Sequence, residues 1–78
     1  MEQLEKTLET IAKAIVERPD DVKVTSEEDE QTITLTLAVS EDDMGMVIGR
    51  HGRIAKAIRS VMKAAAAGSG KKVNVEIR

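Results

Sequence analysis

The stretch Val47-Ile48-Gly49-Arg50-His51-Gly52-Arg53-Ile54 decides how the rest of the chain is read. Its two glycines stand three positions apart, and apolar residues recur at helical spacing on both sides of them. The pattern predicts two helices joined by a four-residue Gly-x-x-Gly turn. Glycine suits such a turn because it adopts positive φ without penalty and, lacking Cβ, lets another backbone come close. The second helix would begin just past Gly52, so its unpaired N–H groups and the positive end of its dipole would face the turn. That arrangement is a ready phosphate site. Arg50 and His51 fill the variable positions and Arg53 follows, which adds positive charge where an anion would arrive.

Downstream, a helix is expected from residue 53 to about residue 67. Ile54, Ile58, Val61, Met62 and Ala65 are expected on its apolar face, with Arg53, Lys56, Arg59 and Lys63 opposite. Gly68-Ser69-Gly70 ends it. Val73, Val75 and Ile77 then alternate with polar residues as a last strand. Upstream, Ser40 and Asp43 resemble a capping box opening a short helix over about residues 42–48, weakened by Gly45. Before it, Ile33, Leu35, Leu37 and Val39 alternate with threonines in the cleanest strand of the chain. The run Ser26-Glu27-Glu28-Asp29-Glu30 is too acidic to be buried and reads as a hairpin loop after a short strand at Val22 and Val24. Leu4, Leu8, Ile11, Ala12 and Ile15 form one apolar stripe on a first helix, which Pro19 stops. The element order is αββααβ, an α+β domain without repeat, low-complexity tract or linker.

Composition narrows the chemistry. Seventy-eight residues make one small domain with a modest core. There are no cysteines, so neither a disulfide nor a Cys-based zinc site can hold it. A single histidine supplies no His-pair metal site and no ordinary nucleophilic triad. Phe, Tyr and Trp are all absent, which excludes the modules that stack bases on aromatic platforms. The acidic start Met1-Glu2-Gln3 and the lack of a long apolar run argue against a signal peptide or membrane helix, with a cytoplasmic location as the default. The formal net charge of −2 hides a division. Residues 1–45 carry four basic side chains against thirteen carboxylates, a net of −9; residues 46–78 carry eight against one, a net of +7. The Gly-x-x-Gly turn lies in the positive part, where the local potential can attract nucleic acid despite the overall sign.

In this context the helix–Gly-x-x-Gly–helix resembles the KH domain of type II topology, whose loop clamps about four nucleotides. With Asp43-Met44-Gly45 before the loop, Gly52-Arg53-Ile54-Ala55-Lys56-Ala57-Ile58-Arg59 after it and an alanine run beyond, the chain is similar to the KhpA-like family of small bacterial stand-alone KH proteins. The likeness spans essentially the whole chain and is most specific over residues 44–67. It implies one KH domain over residues 1–78, with a three-stranded mixed sheet and helices on one face. It also implies an RNA groove built from Val47, Ile48, Gly49, Arg50, His51, Gly52, Arg53, Ile54 and Lys56. The strand around Val73–Val75 would line it and residues 68–72 would close one side. Bases would rest on aliphatic side chains. One departure is Ala55, where many KH domains place a large aliphatic residue.

The resemblance further implies a non-enzymatic binder of single-stranded RNA in RNA-level regulation of growth and division, without cofactor or metal. It implies a homodimer, or a heterodimer with a larger Jag-type KH partner. The rival expectation is a protein–protein adaptor in which RNA is incidental. Plainer roles are set beside these. Arg59 and Lys63 can be solvated surface, His51 an exposed loop residue, and Met44, Met46 and Met62 core filler. The pairs Asp20-Asp21 and Asp42-Asp43 read as solvated turns and caps. The face Ala64–Ala67 could pack on the sheet or on a second subunit.

Overall fold

The computed structural model describes residues 2–78; Met1, with its share of the acidic start, lies outside the described residues. Six regular elements follow in the expected order: α1 (Glu2–Ile15), β1 (Lys23–Glu28), β2 (Thr32–Ala38), α2 (Met44–Ile48), α3 (Arg53–Ala65) and β3 (Lys72–Ile77). The strands form one sheet in the order β1-β2-β3, with β1 antiparallel and β3 parallel to the central β2. A parallel pair needs a crossover. Here α2, the glycine turn and α3 supply it.

The core lies between the sheet and the two long helices. Ile33, Leu35 and Leu37 are buried from β2, with Val22 and Val75 beside them, while Leu8 and Ala12 of α1 and Ile58 and Met62 of α3 cover them. The threonines of β2 point to the opposite, polar face, as period-two alternation requires. The α1 stripe falls where the spacing put it, with Leu4, Ile11 and Ile15 half-buried around Leu8 and Ala12.

Four local readings change. First, α1 ends at Ile15, ahead of Pro19, which instead opens a 3₁₀ turn over Pro19–Asp21. Second, β1 runs on through Glu27 and Glu28, which pair with Thr34 and Ile33; the hairpin loop is only the three residues after it. An edge strand needs backbone pairing on one side only, so carboxylates that reach solvent are no obstacle. Asp29 closes the loop by accepting from the N–H groups of Gln31 (2.8 Å) and Thr32 (2.7 Å), an Asx turn. Those two bonds, aided by Lys71, hold its carboxyl below the ordinary value, against a smaller opposing effect of desolvation.

The third difference concerns α3. The buried face is Ala55, Ile58 and Met62, with Ala66 just past the helix end, while Ile54 and Val61 are exposed at 38% and 48% and Ala65 is also exposed. The apolar face is therefore rotated by about one residue from the one expected. Small alanines let α3 lie close to its neighbours, and that geometry overrides side-chain size. Of the alanine run, only Ala66 packs inward, while Ala64 and Ala67 stay exposed. Met62 fills the core, but Met46 is exposed.

The fourth is Asp43. Ser40 does cap, through Oγ accepting from the Asp42 N–H at 3.3 Å, but the turn it caps is a 3₁₀ turn over Glu41–Asp43. Asp43 is not a solvated cap; it is buried, 2% exposed. Its Oδ1 accepts from the Glu17 N–H and its Oδ2 from the Arg18 N–H, both at 3.1 Å. One carboxylate thus ties the chain leaving α1 to the start of α2. Exposed Asp42 adds an ion pair to Arg18 at 3.2 Å.

Candidate nucleic-acid interface

The turn between α2 and α3 is built by backbone conformation. Gly49 has φ 75° and ψ 172°, a region open essentially to glycine alone. His51 (φ 58°) and Gly52 (φ 72°) follow as two consecutive left-handed residues. Gly49 has a second constraint. A Cβ there would stand 2.2 Å from Ile54 Cγ1 and 2.8 Å from Ile54 Cβ, so the isoleucine packs directly on the glycine backbone. Gly52 has no such neighbour, and only its φ calls for glycine. The turn is tied by the Gly49 N–H to Gly45 O at 2.9 Å and the Gly52 N–H to Gly49 O at 3.2 Å. No side chain caps α3, so its first turn keeps donors directed at the loop.

Around this turn the expected residues separate by depth. Arg50, His51, Arg53 and Lys56 are exposed, and Ile48 (40%) and Ile54 (38%) present aliphatic surface on either side of the glycines. Val47 differs. It is fully buried, with no surface to offer a ligand, and it supports α2 from below. The amphipathic turn of a five-residue helix must bury one residue to hold its place, and Val47 is that residue.

The strand expected to line the groove stands across from α3. A cleft of about 460 Å³ runs between them, lined by Lys56, Arg59, Ser60, Lys63, Val73, Asn74 and Val75. That is within the range of about 300–1,000 Å³ typical of ligand sites. On β3, the Lys72 and Arg78 N–H groups donate toward the β2 side, to Gln31 O and Leu37 O. By alternation, the backbone groups of Val73, Val75 and Ile77 face the open edge, toward the cleft. Arg59 reaches over and donates from Nε to Val75 O at 3.2 Å. Sequence spacing left open whether Arg59 and Lys63 are ordinary surface, and the approach of β3 makes them, with Ser60 and Asn74, cleft residues. Residues 68–72 sit near the hairpin, where Lys71 bonds Glu28 and the Asp29 carbonyl, at 2.9 Å for the latter.

Electrostatics favours the same side. Among the described residues the ion pairs are Lys13–Glu9, Arg18–Asp42, Lys71–Glu28 and Arg78–Glu76. Arg50, Arg53, Lys56, Arg59 and Lys63 take part in none of them. Their charge is left uncompensated along one side of α3 and the turn. Also among the described residues, no group of three or more His, Asp or Glu side chains is placed to hold a metal ion, and no helix is long and apolar enough to cross a membrane.

Comparison with known proteins points one way. The family model described as "KhpA/KhpB, KH domain" matches residues 5–77. The RNA-binding protein KhpA of Clostridium acetobutylicum is 55% identical over 74 residues, covering 95% of this chain and 99% of the relative. The RNA-binding protein KhpA of Bacillus subtilis is 46% identical over 76 residues, covering 97% and 94%. Among solved structures, an Era crystal structure from Aquifex aeolicus superposes with a TM-score of 0.71 at 18% identity, over 96% of this chain and 29% of that one, a likeness of fold alone.

Proposed function

Because the chain belongs to the KhpA/KhpB KH-domain family, we propose that it is a non-enzymatic RNA-binding protein that grips single-stranded RNA through Gly49-Arg50-His51-Gly52. The observation that carries this reading is the turn itself: glycine-only backbone at Gly49, an uncapped helix start beyond it, and unpaired Arg50, Arg53 and Lys56 around it. Phosphates meet backbone donors and cations at the turn. Bases then lie over Ile48 and Ile54 and enter the cleft beside β3, where outward backbone groups of Val73 and Val75 are within the same groove. No aromatic platform is needed, because aliphatic contact and hydrogen bonds replace stacking. One domain makes few contacts, so a second copy, or a larger Jag-type KH partner, raises the effective concentration of sites. The setting is RNA-level regulation of growth and division in the cytoplasm.

One observation favours a second reading, a protein–protein adaptor. Ile54 and Val61 are exposed seven residues apart, on one face of α3 outside the cleft. One experiment separates the two. Arg50→Asp with His51→Asp places two carboxylates against phosphate, and aspartate tolerates the left-handed conformation of residue 51. Fluorescence anisotropy with a uridine-rich heptamer RNA is expected to show at least a tenfold loss of affinity, with thermal unfolding unchanged. Retention of RNA affinity by this folded variant overturns the clamp. Sedimentation velocity on the same samples is expected to show a dimer for both proteins, and a monomer at all concentrations overturns the self-association.

A further inference from the structure

Arg59 is a cleft side chain that the clamp does not use and that the structure holds by a hydrogen bond across the cleft. Its Nε–H is committed to Val75 O at 3.2 Å, which fixes the guanidinium against the edge of β3. Among the described residues no carboxylate pairs with it, and its two terminal amino groups make no other hydrogen bond. A guanidinium held in this way presents its end as a planar fork of donors with the lateral edge already occupied. The fork lies in a cleft of base-accommodating size, on the strand side, one helical turn along α3 from Lys56.

We propose that Arg59 is a specificity-determining residue that reads guanine in the α3–β3 cleft. Guanine places two acceptors, O6 and N7, side by side on one edge, and a two-pronged donor fork matches them. Adenine offers N7 beside the N6 amino donor, so one prong meets a donor. In single-stranded RNA that edge is open to side chains. The bond to Val75 matters because it orients the fork before RNA arrives, which reduces the rotamer freedom lost on binding. This inference rests on the clamp reading above, since the phosphates held at the glycine turn are what bring a base into the cleft.

The test uses the full chain and fluorescein-labelled heptamer RNAs with one variable base in a uridine background, U3-X-U3, read by fluorescence anisotropy. Wild-type protein is expected to bind the X = guanine RNA about tenfold tighter than the X = adenine RNA, within the range for a bidentate contact. Arg59→Lys keeps the charge and removes the fork; its guanine-to-adenine ratio is expected to fall below twofold. Replacing guanine by 7-deazaguanine is expected to lower wild-type affinity and to leave the Arg59→Lys affinity unchanged. A ratio that survives in folded Arg59→Lys, or a wild-type preference for cytosine or for no base, overturns the assignment to guanine. The Arg50→Asp, His51→Asp protein serves as the control for the clamp. If it binds the guanine, adenine, cytosine and 7-deazaguanine RNAs as well as wild type does, the clamp itself fails and the proposal fails with it. If it loses all four while Arg59→Lys keeps the ratio, the clamp stands and only the role of Arg59 is lost.

Discussion

At the scale of single residues, the two glycines of the turn are not equivalent. Gly49 combines a φ/ψ region closed to other residues with the 2.2 Å approach that its Cβ would make to Ile54. Gly49→Ala therefore strains the backbone and drives a methyl into Ile54, which lies in the first turn of α3. The expected cost is about 2–6 kcal/mol, adding about 1–3 for a backbone region open essentially to glycine alone to an overpacking penalty of about 1–3. Gly52→Ala meets only the milder strain of a left-handed residue, with no packing clash, and is expected to cost about 1 kcal/mol. Equilibrium urea denaturation of the two variants checks the difference, and equal losses would refute the packing account. The motif was legible from the sequence because positive φ is a property of one residue. The inequality was not, because it depends on where the Ile54 side chain comes to rest.

At the scale of elements, Asp43 is the joint between α1 and α2. Both of its carboxylate oxygens accept backbone N–H groups some 25 residues away in sequence, at Arg18 and Glu17. Asp43→Ala leaves two donors without their partner beside a buried site. A loss of about 2–3 kcal/mol is expected, the scale of hydrogen bonds to a charged group. Because α2 carries the glycine turn at its end, RNA affinity should also weaken although no contact residue has changed. Hydrogen exchange should show the α2 amides opening more readily in the variant; unchanged α2 protection would mean that the joint does not hold the turn. The rotated face of α3 belongs to the same scale. Hydropathy ranks Ile54 and Val61 above Ala55 and Ala66, yet the alanines are buried. Which side of a helix meets the sheet is decided by how closely the two can approach, and residue polarity alone does not encode that distance.

For the whole molecule, the −9 and the +7 portions of the chain use their charges differently. The acids of the first portion cap, pair or close turns at Glu9, Glu28, Asp29, Asp42 and Asp43. Of the cations of the second, Arg50, Arg53, Lys56, Arg59 and Lys63 stand outside the ion pairs beside the turn and cleft, while Lys71 and Arg78 pair with Glu28 and Glu76. RNA affinity should therefore follow counterion release. With Arg50, Arg53 and Lys56 on three phosphates, log K is expected to fall with log salt at a slope of about −2, from about −0.7 per phosphate for single strands. Anisotropy titrations between 50 and 300 mM KCl, on the order of the range where such slopes are read, check it. A flat dependence would show that the cations do not meet phosphate.

The sequence by itself determined what local rules can determine. Alternation placed Ile33, Leu35 and Leu37 inward on β2, helical spacing placed Leu8 and Ala12 on α1, and glycine spacing placed the turn. Each of these rests on residues a few positions apart, where φ/ψ preference and periodicity act. The tertiary structure alone decided what depends on distant segments meeting. β1 gained Glu27 and Glu28 because β2 offered them backbone partners. Asp43 went inside because the end of α1 brought it two N–H donors, and Val47 went under the turn it was expected to line. Arg59 became a cleft residue because β3, sixteen positions later, ran alongside α3 and turned a carbonyl toward it.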